Sequence, residues 1–134
     1  MMTSDVVIHS NILTPTELRR LFAKCVAFWG VCAQENMLQE ECGELIVAVN
    51  HYRRGRVPPT KLLEEIADVM FTIGEVMYIH GFTSEDLDLM IDKKVIRVTD
   101  LITKEENKLA EATKFKTKEK NNGNYEHGTE QVSY

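Results

Sequence analysis

QEECGELIVAVNHYRRG, residues 39–55, and LLEEIADVMFTIGEV, residues 62–76, carry one pattern twice. Around the first, Leu38, Cys42, Leu45, Val49 and Tyr52 recur at 4-3-4-3 spacing; in the second, Leu62, Ile66, Val69, Ile73 and Val76 repeat that spacing 24 positions later. The period is helical, so each set defines an apolar stripe along one face of an α-helix. The acids obey the same offset, Glu41 matching Glu65 and Glu44 matching Asp68. At about 100° per residue, each acidic pair falls about 60° and 120° to the same side of its stripe. Like charges at this spacing repel, so their repetition asks for a cause.

The chain on either side reads as further helix. Thr14-Pro15-Thr16-Glu17 announces a first helix: a threonine N-cap, proline at the first helical position and glutamate completing a capping box. Leu18, Leu21, Phe22, Cys25, Val26 and Trp29 follow at three- and four-residue spacing, and Gly30 supplies a stop. VCAQEN then reads as a link into helix two over about 36–54, closed by Gly55. Pro59 or Thr60 opens helix three, which stops at Gly81. Thr83-Ser84-Glu85-Asp86 caps helix four, whose Leu87, Met90, Ile91, Val95, Val98, Leu101 and Ile102 are expected to face inward. From Lys104 the apolar period fades into six Lys, six Glu and then Asn and Gly, a composition too polar to order itself. The expected organisation is an all-α fold, with an N-terminal arm over residues 1–13, a four-helix domain over 14–103, and a fraying helix with a disordered tail over 104–134.

The bulk composition sets bounds. The 134 residues are 43% apolar and 28% charged, ordinary for one globular domain with a real core. A formal net charge of −5 argues against nucleic acid as an obligatory partner. Cys25, Cys32 and Cys42 are an odd set without CxxC spacing; Cys25 and Cys42 fall on apolar helical positions and read as small core residues of a reducing compartment. The opening MMTSDVVIHSNILTP is too polar for a signal peptide, and no apolar run approaches the roughly 20 residues that span a bilayer. A cytoplasmic protein without membrane association is expected.

A short linker makes helices two and three antiparallel neighbours. Packed stripe to stripe, they place a shared shoulder on one side of the seam, so Glu41, Glu44, Glu65 and Asp68 are expected to converge there within about one turn, roughly 5 Å. Such a group of carboxylates stays ionised only beside positive charge. Zinc would ask for His or Cys, and a di-iron bundle for Glu-x-x-His. An all-oxygen set suits Mg²⁺, with Mn²⁺ as the alternative.

EExxE (Glu40, Glu41, Glu44) followed by ExxD (Glu65, Asp68) resembles the MazG-like branch of the all-α nucleoside triphosphate pyrophosphohydrolases. FWGVCAQENMLQEECGELIVAVNHYRRG with LLEEIADVMFTIGEV carries the resemblance over residues 28–77, and more loosely to Arg97. It implies a helical bundle that assembles as a homodimer or a dimer of dimers. It also implies Mg²⁺-dependent cleavage between the α- and β-phosphates of a nucleoside triphosphate, giving the monophosphate and pyrophosphate, in the service of nucleotide-pool cleaning or balancing. Carried over by motif, Glu41, Glu44, Glu65 and Asp68 are the metal ligands. Glu40 or Glu41 is then the group that activates water.

The resemblance also implies cationic partners for the phosphates on the last helix, where DKKVIRVTD offers Lys93 or Lys94 with Arg97. Asp100 and His51 stand where relatives often carry basic residues. Trp29 offers a stacking face and Gln34 an amide able to read a base edge. Glu75, on the shoulder of Asp68, reads as an outer acid or a surface residue, and the charged turn of Arg53, Arg54, Arg56 and Lys61 as solubility. Two alternatives stay open: a phosphoribosyl-ATP pyrophosphohydrolase of the same fold, and a non-catalytic helical interaction module whose site has decayed.

Overall fold

A computed structural model of the chain describes residues 8–122, and within them four α-helices and no strand. The helices are α1 (Pro15–Trp29), α2 (Val31–Arg53), α3 (Pro59–His80) and α4 (Ser84–Asn122). The chain divides after Leu89 into two compact units. Among the described residues no helix is long and apolar enough to cross a membrane.

α1 begins with the reciprocal cap its sequence encodes. The Glu17 N–H donates to the Thr14 hydroxyl at 3.3 Å, and the Thr14 N–H donates to the Glu17 carboxylate at 2.8 Å. The Thr14 N–H and the Thr14 hydroxyl, which donates at 2.7 Å, together hold the Glu17 carboxyl below its ordinary range. Leu18, Phe22 and Cys25 then form the buried face. Phe22, 2% exposed, is the largest fully buried side chain. Its ring meets Phe71 of α3 edge-on, with centroids 5.4 Å apart, and lies 6.3 Å from Tyr78. This approach needs a glycine opposite: a β-carbon built on Gly74 would come to 3.0 Å from the Phe22 ring and 3.4 Å from Ile8.

Gly30, at φ 86°, ends α1 and opens α2 in one residue. Its N–H donates to Val26 and its carbonyl accepts from Gln34. Helix two therefore starts at Val31, not near residue 36, and the expected link VCAQEN is its first turns. A glycine at positive φ is a complete joint by itself, and VCAQEN contains no residue that breaks a helix. At the other end, Gly55 at φ 66° turns the chain back, with the Arg56 N–H donating to the His51 carbonyl. α3 closes on Gly81 at φ 68°, where the Phe82 N–H reaches the Met77 carbonyl and the Gly81 N–H reaches Tyr78, a Schellman arrangement.

α2 and α3 are each other's main packing partners, and α1 lies against both. Their seam is only partly the apolar stripe expected for it: Val69 is buried and Leu38, Leu45, Leu62, Ile73 and Val76 are half-buried. Cys42, Val49 and Tyr52 are exposed, as is Ile66, while Gln34 and Ala48 of α2 face Glu65, Val69, Thr72 and Glu75 of α3 as the buried residues. The helices are rotated toward the acidic shoulder, so the polar positions lie in the seam and part of each stripe lies at its margin. Cys25 is buried as expected; Cys42 is not.

In α4, Thr83 and Asp86 form the expected cap through mutual backbone and side-chain bonds of 2.9–3.1 Å. The expected inward face is otherwise overturned. Met90, Ile91, Val95, Val98, Leu101 and Ile102 are all about half exposed. Periodicity fixes which residues share a helix face, not what covers it. α4 also continues as helix past Lys104 to Asn122; the rest of the expected tail lies outside the described residues, as does the start of the N-terminal arm.

Candidate functional site

Pairings at the two ends of the seam fix α2 and α3 as antiparallel. Gln34 meets Glu75 and Glu35 meets His80 at 2.7 Å early in α2 and late in α3, whereas Glu41, further along α2, meets Glu65, earlier in α3. This arrangement gathers acids from both helices: one carboxylate oxygen each from Glu41, Glu44 and Glu65 lies within 4.8 Å of the others. Glu44 is exposed, Glu41 half-buried, and Glu65 only 3% exposed. Asp68, expected as a fourth member, stands outside this trio. It is nevertheless the neighbouring charge that acts most strongly on Glu41. Burial first, then Asp68, Glu44, Glu65 and Glu40, push the Glu41 carboxyl above its ordinary value.

Glu65 is the unusual member. Lys61, one turn earlier on α3, pairs with its Oε1 and also approaches Glu64 at 3.5 Å. The other oxygen, Oε2, is buried without a hydrogen-bond partner. A desolvated carboxylate oxygen left unpaired is costly, commonly about 1–3 kcal/mol or more, so it calls for a partner such as a water or an ion. As a donor set, three carboxylates without histidine or thiolate fit a hard, oxygen-preferring divalent cation, Mg²⁺ or Mn²⁺, and do not fit zinc. Glu65 Oε2 is an oxygen that such an ion would satisfy.

No protein-family model, curated protein or solved structure matches this chain. Its chemistry is therefore read from the site itself.

Two hollows flank the acids. One, of about 390 Å³, lies toward the α2–α3 turn, lined by Glu40, Glu44, Lys61 and Glu65 with His51 and Val57. The second, of about 560 Å³, lies among α1, α2 and α3, with Glu41 and Asp68 on its wall beside Trp29, Gln34, Phe71 and Glu75. That volume suits a small organic ligand. The acids thus border both a recess beside a lysine and a larger pocket, each with largely apolar walls.

The residues proposed from sequence fall into three groups. Glu41, Glu44 and Glu65 are brought together. Asp68 adjoins them, and Glu40 is exposed in the lysine-side recess. Trp29 and Gln34 share the larger pocket, Trp29 66% exposed and Gln34 6%. Lys93, Lys94 and Arg97 are exposed on α4, within the unit that begins at Met90.

Two residues were undervalued in the sequence. Glu75 is 3% exposed, so it is not a surface residue. The Gln34 amide is satisfied only with its nitrogen toward Glu75, where it donates to both carboxylate oxygens at 2.9 and 3.1 Å. The Cys25 thiol also bonds to Glu75. Burial pushes the Glu75 carboxyl up, and the Cys25 bond draws it partly back. A signal existed: Gln34 and Glu41 on α2, and Asp68 and Glu75 on α3, are each seven residues apart, a spacing that returns to one helix face. The second undervalued residue is Lys61, which does not merely decorate a turn but neutralises the buried acid.

Proposed function

We propose that this chain is a divalent-cation-dependent nucleoside triphosphate pyrophosphohydrolase, cleaving the α–β anhydride of (d)NTPs to a monophosphate and pyrophosphate. Mg²⁺ is the proposed cation, with Mn²⁺ able to replace it. The observation that carries the reading is the unpartnered, buried Oε2 of Glu65, set among Glu41 and Glu44 at the junction of two hollows. The MazG-like order of the acids, EExxE then ExxD, supports it from the sequence.

A cation bound at the trio supplies charge neutralisation for the phosphates and lowers the pKa of a water. The chain's own residues do the rest. Glu41, Glu44 and Glu65 hold the ligand geometry, and Asp68 raises the negative field at Glu41. Glu40, exposed in the recess, accepts the proton as the water oxygen bonds to the α-phosphorus and pyrophosphate leaves with the bridging oxygen. Lys61, paired with Glu65 and half exposed in the recess, would be free to meet a phosphate if a cation took its place at that carboxylate. Lys93, Lys94 and Arg97 are the proposed further phosphate partners, and Trp29 and Gln34 the proposed base contacts. A homodimer or dimer of dimers in the cytoplasm is the proposed working form. Support comes from the apolar residues left half exposed along α4, including Ile91, Val95, Val98 and Ile102 at 4-3-4 spacing.

The test is ³¹P NMR of the full chain with mixed dNTPs and Mg²⁺. Monophosphate and pyrophosphate are expected, with turnover abolished by EDTA and by Glu44→Gln or Asp68→Asn while helical circular dichroism is kept. Inorganic phosphate as the first product would refute the bond assignment. The same exposed α4 residues favour one second reading, a helical interaction module; it predicts no turnover and no metal-induced rise in melting temperature. Phosphoribosyl-ATP as the preferred substrate would shift the reading within the same chemistry.

A further inference from the structure

The pocket that Glu41 and Asp68 border has an inner end built from side chains the metal chemistry does not use. Glu75 sits there, 3% exposed, accepting both from the Gln34 amide and from the Cys25 thiol. Both neighbours donate to it, so its oxygens serve as acceptors toward them. Thr72, also buried on this wall, spends its hydroxyl proton on the carbonyls of Asp68 and Val69, both at 3.0 Å. Its oxygen can therefore offer the pocket lone pairs but no proton. Two carboxylate oxygens have about four acceptor sites between them, more than Gln34 and Cys25 fill. The inner end is thus rich in acceptors and poor in free donors.

Position gives that polarity a use. Asp68 and Glu75 are seven residues apart on α3, about 10 Å along the axis, so a nucleotide with its phosphates near the acids would extend through its sugar and turn the far edge of its base toward Glu75. Trp29 supplies an exposed indole on the same pocket, and Leu21, Met37 and Phe71 supply apolar wall. A flat heteroaromatic ring placed there would turn its edge toward Glu75.

We infer that Glu75, oriented by Gln34 and Cys25, reads the base, and that the pocket selects nucleobases bearing an exocyclic amine over uracil and thymine. This rests on the nucleotide reading above. An amine donates to the carboxylate; a carbonyl at the same place sets two acceptors against each other. A hydrogen bond to a charged partner discriminates by about ten- to a hundredfold, and more where the wrong ligand leaves the buried group unpaired.

Cytosine and uracil nucleotides differ at this edge and in little else. The test titrates the full chain, without metal, with dCMP and with dUMP, following the fluorescence of Trp29, the one tryptophan in the sequence. In parallel, pyrophosphate release is measured with dCTP and dUTP in Mg²⁺. The expected result is dCMP binding at least tenfold tighter than dUMP, the same preference in kcat/KM, and a ratio near one in Glu75→Gln, whose amide can both donate and accept. Equal binding of dCMP and dUMP by the unaltered chain overturns the inference, as does a ratio unchanged in Glu75→Gln. Equal hydrolysis of dCTP and dUTP overturns the base assignment while the pyrophosphohydrolase stands. Selective dCMP binding with no pyrophosphate from either triphosphate keeps the base assignment and removes the hydrolase. Neither binding nor release removes both.

Discussion

Lys61 and Glu65 form an ion pair one helical turn apart, and it satisfies only one of the two oxygens of the buried carboxylate. The lysine is half exposed and the glutamate is not. Lys61 is therefore the counter-charge that a cation held by these acids would have to replace. Its ammonium is held in the charged form by that same contact.

Replacing Lys61 by methionine should lower the melting temperature of the metal-free chain, because Glu41, Glu44 and Glu65 lose their compensating charge. It should also enlarge the rise produced by Mg²⁺, since the ion no longer competes with an ammonium group. Differential scanning calorimetry in EDTA and in Mg²⁺ checks both. A smaller Mg²⁺ response than that of the unaltered chain would mean that Lys61 helps to hold the ion rather than opposing it.

The pH dependence follows from the sign of the shifts. Glu41 and Glu75 both lie above their ordinary 4.5 in the folded chain, chiefly through burial. Between the unfolded and folded values the folded state retains protons that the unfolded state has released, so stability falls as pH rises through that window. Glu17 and Asp86, lowered by their caps, act oppositely: their contribution is present above the unfolded values and is lost as pH falls through the folded ones. In EDTA the melting temperature should decline as pH is raised from 4.5 toward neutrality. Mg²⁺ should flatten or reverse that slope by favouring the ionised acids. A slope unaffected by Mg²⁺ would separate the acids from metal binding.

The contact between Phe22 and Gly74 sets how α1 docks. Phe22→Ala should cost about 3–5 kcal/mol, the usual range for emptying an aromatic site in a core. Gly74→Ala brings a β-carbon to 3.0 Å from the ring. The overpacking, about 1–3 kcal/mol, exceeds the roughly 1 kcal/mol that alanine gains over glycine in a helix, so net destabilisation is expected. In a Phe22→Leu background the same substitution should become neutral or stabilising. Urea unfolding of the four chains measures the coupling directly.

The helices were legible because their signals are local. Thr14 and Glu17 cap α1, Pro59 opens α3, and Gly55 and Gly81 stop helices, each through its own backbone chemistry. The start of α2 was misplaced because Gly30 alone makes a joint that needs no linker. The acids were legible through their repeat across the hairpin. The rotation of the seam was not, since a period of 3.6 residues marks a face to within a broad sector, and Cys42, Val49 and Tyr52 lay at its edge. Glu75 was missed for a related reason: its burial depends on Gln34 and Cys25, which reach it from two other helices. The seven-residue spacing places Glu75 on the face of Asp68, but how deeply it is buried is decided by tertiary packing.

Whether oxygens from Glu41, Glu44 and Glu65 jointly hold one divalent ion is the point on which the enzymatic reading depends. Electron paramagnetic resonance of Mn²⁺ titrated with the full chain reports this without requiring substrate or turnover. The account predicts saturable loss of the free Mn²⁺ signal, competition by Mg²⁺, and a markedly weakened site in Glu65→Gln that keeps its helical circular dichroism. Mn²⁺ binding that is absent in the unaltered chain, or equally tight in folded Glu65→Gln, would contradict it.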